Sequence, residues 1–394
     1  MLIILLFVFI GLFFIGYYYS KDILAPYTLI SLLWGGILFL YLTLDHNLFP
    51  IYNKFPCAIF IWVITFYIFS MFVEYSPRVS YANRKYFIRP NKTIIKLYYF
   101  LTFLSIPIIV YTLIREALMN GTGNFLLYLR MLNTGLDENI EAPNFGVLSY
   151  FISTSLVLFL IELTDFSSKK LYKIILLFIL NLFVAFITMS KTMFLILLLS
   201  SVIVLYKKKK ISVKVIILSL VFFALFSIIL QSYRSMDGEI DKYSFFFTYL
   251  LSGSVAFDYM PEINQSWGAN SFRFVYAIMN ALGVNVTVNN AILNYIFIPE
   301  ATNVYTVLYP YYTDFGYIGV FIFACLNGSF LGFLNRKSKE GHPAYVVLFS
   351  IFSVFLVLNF IGEFVFTNFS NTIQYIFYAL LPYSINFKCK KYDN

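Results

Sequence analysis

Arg273, in Asn-Ser-Phe-Arg-Phe-Val-Tyr, Arg234, in Gln-Ser-Tyr-Arg-Ser, and Arg130, in Leu-Tyr-Leu-Arg-Met-Leu, are cations set among aromatic and apolar residues. Arginine keeps its charge at all ordinary pH, and its planar fork grips phosphate oxygens two at a time. Lys191 stands in the tight turn Thr188-Met189-Ser190-Lys191-Thr192 between two apolar runs, where Ser190 is suited to cap the helix that follows. Free amides, a partial positive charge and a lysine at a helix start make a ready anion site. The competing readings are plain ones: Lys191 snorkelling to water, and Arg234 pairing with Asp237 or Glu239 on a wet surface, where such pairs contribute little. Two acids complete the set. Asp314 is the one acid in the tyrosine-rich stretch 303–319, and Glu363 closes a long apolar run. Either carboxylate can accept a proton, although an Asp at this place is also a common helix cap. Tyr309 and Tyr312 offer flat faces and hydroxyls to a ligand, in a chain whose 33 tyrosines also serve membrane interfaces.

Cations for an anion and a carboxylate for a hydroxyl suit the transfer of a group from a donor that carries its own phosphate leaving group. What is missing narrows the choice. The two histidines, His46 and His342, are far apart in sequence, which excludes a His-based metal site or a Ser-His-Asp relay. No glycine-rich phosphate loop follows a strand, and no Asp-x-Asp pair is present to hold a metal–nucleotide. A transferase built from this chain is therefore expected to work without a metal or other cofactor, and not on a nucleotide-sugar.

The elements that position these residues are membrane helices. Hydrophobic residues make up 60% of the chain and charged ones 12%, with a mean hydropathy of +0.80. Soluble domains carry about 25% charged residues. Apolar runs close to the length that crosses a hydrocarbon core recur at about 2–19, 27–45, 56–74, 95–114, 146–163, 174–189, 192–206, 211–230, 316–334, 344–362 and 370–387. Backbone groups in lipid must be satisfied within the segment, so an all-α, polytopic bundle of about eleven spans is expected. The net charge of +9 is no nucleic-acid footprint: 21 of the 28 basic residues fall in alternate loops, which marks those loops as cytoplasmic. That topology puts the N-terminus outside, as a retained first span, and two long loops, 115–145 and 231–315, on the outer face. A loop of that length is usually functional. Within the second, 243–260 and 272–282 are expected as short helices lying at the outer interface or dipping into it, with a twelfth crossing within 243–298 as the alternative. The chain reads as one integral membrane domain of residues 1–394 whose two outer loops form the active face. Cys57, Cys325 and Cys389 are not placed for an external disulfide framework.

Tyr309, Pro310, Tyr312, Asp314, Phe315, Gly316 and Gly319 spell Tyr-Pro-x-Tyr-x-Asp-Phe-Gly-x-x-Gly ahead of a late apolar helix that ends in Arg336, Lys337 and Lys339. This segment resembles the Wzy-type O-antigen polymerases, in which Ser-Arg often opens a helix where this chain has Ser190-Lys191. The resemblance implies a glycosyltransferase-C-like helical fold in the bacterial inner membrane, with its active site facing the periplasm. It further implies a reaction between two undecaprenyl-pyrophosphate-linked oligosaccharides, the growing chain being the donor, and a chain-length regulator as partner. On that reading Arg273, Arg234, Lys191 with Ser190, and Arg130 hold the pyrophosphate, and Asp314 or else Glu363 accepts the proton of the attacking hydroxyl. Two alternatives stay open. One is a lipid-oligosaccharide flippase or other transporter, against which the spans are nearly free of charge. The other is an O-antigen ligase, whose late outer loop usually carries a histidine that is absent between His46 and His342.

Overall fold

Each long apolar run closes its own backbone hydrogen bonds as a helix. The computed structural model describes residues 1–76, 89–120, 125–134, 143, 145–219, 221–222, 242–261, 267–290, 293–299 and 301–384. In chain order the helices are α1 (Leu2–Ser20), α2 (Pro26–Thr43), α3 (Lys54–Tyr75), α4 (Lys92–Asn120), α5 (Phe125–Thr134), α6 (Tyr150–Thr164), α7 (Leu171–Ile187) and α8 (Lys191–Lys207). There follow α9 (213–219), α10 (Lys242–Tyr259), α11 (Arg273–Ala281), a two-stranded hairpin of β1 (Ile296–Phe297) and β2 (Ala301–Thr302), α12 (Leu308–Lys339), α13 (Pro343–Val357) and α14 (Phe369–Ser384). Among the described residues eight helices are long and apolar enough to cross a bilayer, and the chain is a multi-pass, all-α membrane protein. The expected spans at 192–206 and 370–387 appear as the shorter α8 and α14, of 17 and 16 residues. The expected span at 211–230 begins as α9, and most of its second half, like much of the 115–145 loop, lies outside the described residues.

By its internal contacts the chain divides into two compact units. The first comprises Met1–Arg78, Asp241–Arg336 and Phe352–Thr372. Its spine is the parallel pair α3 and α12, held together by missing side chains. A β-carbon on Gly328 would come within 2.6 Å of the Phe66 carbonyl oxygen, and one on Gly332 within 2.3 Å of that of Ser70. Two glycines one helical turn apart thus let the backbones touch, the small-residue packing that brings membrane helices together where lipid supplies no hydrophobic drive. The pair closes at its far end with Asn335 Nδ2 donating to Glu74 Oε2 at 2.6 Å and Arg336 Nη1 to the Val73 carbonyl at 3.1 Å. At the near end α3 starts without a side-chain cap of its own. Asp258, at the end of α10, supplies one: Tyr52 N donates to its Oδ2 at 2.6 Å and Phe55 N to its Oδ1 at 2.7 Å. The C-terminal half of α10 is buried within this unit. Leu251, Val255, Ala256 and Phe257 are fully buried, because their run of small and apolar residues must pack somewhere and α3 is capped by the same element. Helix α11, by contrast, has no buried residue.

The second unit comprises Val79–Ile240, Lys337–Ile351 and Ile373–Asn394. Its core joins Ile109, Leu113 and Ala117 of α4 to Leu129 and Leu132 of α5 and to Ile187 and Met189 at the end of α7. Where α6 turns into α7, Lys170 Nζ reaches Asp165 at 2.7 Å and Glu162 at 3.4 Å.

Valine at Gly332 or Gly328 should separate α3 from α12, at a cost of about 1–3 kcal/mol as in other overpacked contacts. The check is thermal unfolding of the detergent-purified protein. Valine at Gly36, where a β-carbon meets nothing within 4 Å, is the control expected to leave the melting temperature nearly unchanged.

Candidate active site

The motif segment 308–316 does not fold as a loop running into a helix. Residues Leu308 to Phe315 are already helical, and the chain then breaks at Gly316, with φ 62° and ψ −151°. That region of backbone space is open essentially to glycine alone. After the break the chain turns back on itself: a β-carbon on Gly319 would lie 2.3 Å from the Tyr311 carbonyl oxygen. Both motif glycines thus have a mechanical reason. Tyr311, fully buried, is clamped between Trp62 (5.6 Å between ring centroids) and Phe323 (4.1 Å), each nearly parallel to it. Stacked pairs of this kind add about 0.5–1.5 kcal/mol each beyond the area they bury.

Asp314 does not cap the helix after the break. It is fully buried. Ser271 N donates to its Oδ2 at 2.6 Å, and Asn270 donates to its Oδ1 from both the backbone N (3.2 Å) and Nδ2 (2.9 Å). The Ser271 hydroxyl donates to the Pro310 carbonyl at 3.2 Å. The carboxylate therefore pins the segment before α11 onto the short helix before the break. Asp314 is not among the residues that line the adjacent cavity.

That cavity, of about 340 Å³, lies wholly within the first unit. Asn270, Asn289, Asn290, Asn303 and Asn368 reach its wall. Each amide offers donors and an acceptor side by side, the pairing that a sugar hydroxyl, itself donor and acceptor, requires. Tyr305 and Tyr309, 4.8 Å apart between ring centroids, form an aromatic side. Burial, and secondarily Tyr309, push the Tyr305 phenol up, so it remains a donor, to the Asn294 carbonyl at 3.1 Å. Arg273 is the cation of the cavity. Its Nε donates to the Asn289 carbonyl at 2.6 Å, and it makes no ion pair among the described residues. Glu363 also reaches the wall, 8% exposed. Its Oε1 accepts from Val365 N (2.7 Å) and Phe366 N (3.0 Å), its Oε2 from Phe366 N (2.9 Å) and Thr367 N (2.7 Å).

Of the residues singled out from sequence, Arg273, Tyr309 and Glu363 share this cavity, and Asp314 lies behind its wall. Tyr312 packs on Phe257 and Tyr317 instead, at 5.3 and 5.0 Å between centroids. Lys191, Ser190 and Arg130 belong to the second unit. There Ser190 caps α8 as expected, its Oγ accepting from Met193 N at 3.2 Å. Arg234 lies outside the described residues. The asparagines were missed. Their signal was local density: Asn285, Asn289, Asn290, Asn294 and Asn303 crowd the stretch 285–303, while Asn368 gave no local sign.

Glu363→Ala would leave three backbone N–H groups of the 363–367 turn without their acceptor. A buried donor left unmade costs about 1–3 kcal/mol, so this variant should melt several degrees below the parent, and Glu363→Gln should fall between them. Equal melting of all three proteins would mean that the turn does not depend on this carboxylate.

The chain was compared with known proteins on this basis. Neither curated proteins nor solved structures give a match. The family model described as "Putative O-antigen polymerase" matches residues 1–378. Nearly the whole sequence, the motif helix and the asparagine-walled cavity included, thus lies inside that match, and the chain belongs to the O-antigen polymerase family.

Proposed function

We propose that the protein is a glycosyltransferase that lengthens a surface polysaccharide by joining undecaprenyl-pyrophosphate-linked oligosaccharides on the periplasmic face of the bacterial inner membrane. One observation carries this reading: an arginine fixed at Nε, with no ion pair among the described residues, in a cavity whose polar wall is largely amides and tyrosines. Such a wall suits a polyol, and such a cation suits an anion joined to it. A sugar linked to pyrophosphate has both parts.

In the proposed step, a hydroxyl oxygen of one repeat unit attacks the anomeric carbon of the donor chain. The new glycosidic C–O bond forms as the bond from that carbon to the pyrophosphate oxygen breaks, and the lipid pyrophosphate leaves with the electron pair. Arg273 meets the charge that builds on it. Stabilising a departing anion in a water-poor site is usually the largest catalytic effect, and the loss of one such donor costs on the order of a hundredfold or more. The hydroxyl proton goes to a carboxylate. Asp314 is enclosed and committed to Asn270 and Ser271, so the role passes to Glu363, which reaches the cavity. Lys191 with Ser190, Arg130 and Arg234 stay as further candidates for phosphate contact, to be tested singly. A lysine at the first position of α8 opposes the helix dipole, which favours an anionic neighbour there.

The test is complementation of a strain lacking this gene, read on a lipopolysaccharide gel with membrane levels of the protein measured in parallel. Arg273→Ala should leave core plus a single repeat unit, and Arg273→Lys a shortened ladder. A full ladder from Arg273→Ala would refute the assignment. Loss of every repeat unit on deletion of the gene would favour a flippase or ligase.

A further inference from the structure

Asp314 is a buried acid that the proposed reaction does not use, yet it is wired to the residue that the reaction uses most. The wire has three links. Asn270 Nδ2 donates to Asp314 Oδ1 at 2.9 Å, Asn289 Nδ2 donates to Asn270 Oδ1 at 2.7 Å, and Arg273 Nε donates to the Asn289 carbonyl at 2.6 Å. The direction of the first two links is not arbitrary. An ionised carboxylate is acceptor only, so Asn270 must turn its NH₂ towards Asp314 and its oxygen away. Thr313 supports the same orientation: its hydroxyl donates to the Tyr309 carbonyl at 2.8 Å and so accepts from Asn270 Nδ2 at 3.1 Å. The outward oxygen of Asn270 can be met only by a donor, so Asn289 must present its NH₂. That holds the Asn289 residue against Asn270 and its carbonyl against Arg273.

We infer that Asp314 is a positioning residue, which through Asn270 and Asn289 sets the guanidinium of Arg273 in the cavity wall and does not itself touch substrate. The inference rests on Arg273 being the anion-binding cation proposed above. A carboxamide at 314 cannot replace the carboxylate. Whichever way it turns, its NH₂ faces a donor, either Ser271 N or the Asn270 amide, and the polarity of the relay is lost.

The experiment is a double-mutant cycle on the full-length protein in detergent, with inorganic pyrophosphate as the probe. Its apparent dissociation constant is read from the ligand-dependent shift in melting temperature. Asp314→Asn and Asn289→Ala should each weaken pyrophosphate binding about tenfold in the parent, the size of one charge-assisted or network bond. Neither should weaken it further in Arg273→Lys, which lacks the Nε donor. Additive losses in the Arg273→Lys background would overturn the relay, since the two sites would then act independently. If Asp314→Asn does not fold, Asn289→Ala decides alone, because it removes the middle link and leaves the buried carboxylate in place. Arg273→Ala binding pyrophosphate as tightly as the parent would remove the reading of the cavity and the relay with it. Binding that depends on Arg273 but gives additive losses would remove the relay only.

Discussion

A chain in hydrocarbon must find a partner for every backbone N–H it does not spend in a helix, and in the first unit three buried carboxylates answer that demand. Asp258 takes Tyr52 N and Phe55 N at the start of α3, Asp314 takes Asn270 N and Ser271 N, and Glu363 takes the amides of Val365, Phe366 and Thr367. Each acid sits where the chain leaves helical geometry or enters it, and each is at most 8% exposed. Charge is tolerated at these places because it is shared among several short hydrogen bonds, and a buried charge without such partners would cost several kcal/mol. The irregular segments that wall the cavity are thus knotted to the helices by acids.

This division of labour leaves the cavity with a chemistry unlike its frame. The acids look mostly inward to the backbone, and the polar part of the open wall is mainly amides, phenols and one guanidinium, beside Glu363 and apolar residues such as Leu293, Ile361 and Phe364. Such a wall suits a ligand that is rich in hydroxyls and carries negative charge. It also keeps the cation from being neutralised by its neighbours: Arg273 and Glu363 reach the same cavity without forming an ion pair. Elsewhere in the unit the α3–α12 contact is rigid, since backbones that touch at Gly328 and Gly332 leave no slack for side chains to repack.

The helices were legible because their signal is dense: a span needs about 20 apolar residues in a row, and over their described parts all eleven runs read from sequence fall on helices of the structure. The site was legible in its parts and not in its arrangement. Arg273 and Glu363 stood out because charge is rare here, and Tyr309 came with the motif. The role of Asp314 could not be read, because nothing local in the sequence says that residues 270 and 271 will lie against residue 314. The same holds for the asparagines, which come together only when the segments around 270, 289, 303 and 368 meet. The Ser, Gly and Asp that break the hydropathy of α10 have reasons visible only in the fold: a β-carbon on Gly253 would lie 2.7 Å from the Phe360 carbonyl oxygen, and Asp258 caps α3. Gly316 and Gly319 were recognised as a pattern, whereas their reason, a Gly-only backbone angle and a carbonyl against a missing β-carbon, appears only in three dimensions.

A guanidinium has two edges that can take a pair of oxygens: the side edge of Nε with one Nη, and the end edge of the two Nη atoms. The bond from Arg273 Nε to the Asn289 carbonyl closes the side edge. One edge remains, and its plane is fixed, so an incoming oxyanion can be gripped in a single orientation and whatever is bonded to it must leave that grip along a single line. An arginine with both edges open would accept the same anion from two directions. A chain that is handed on repeatedly at this place would therefore always be presented by the same face.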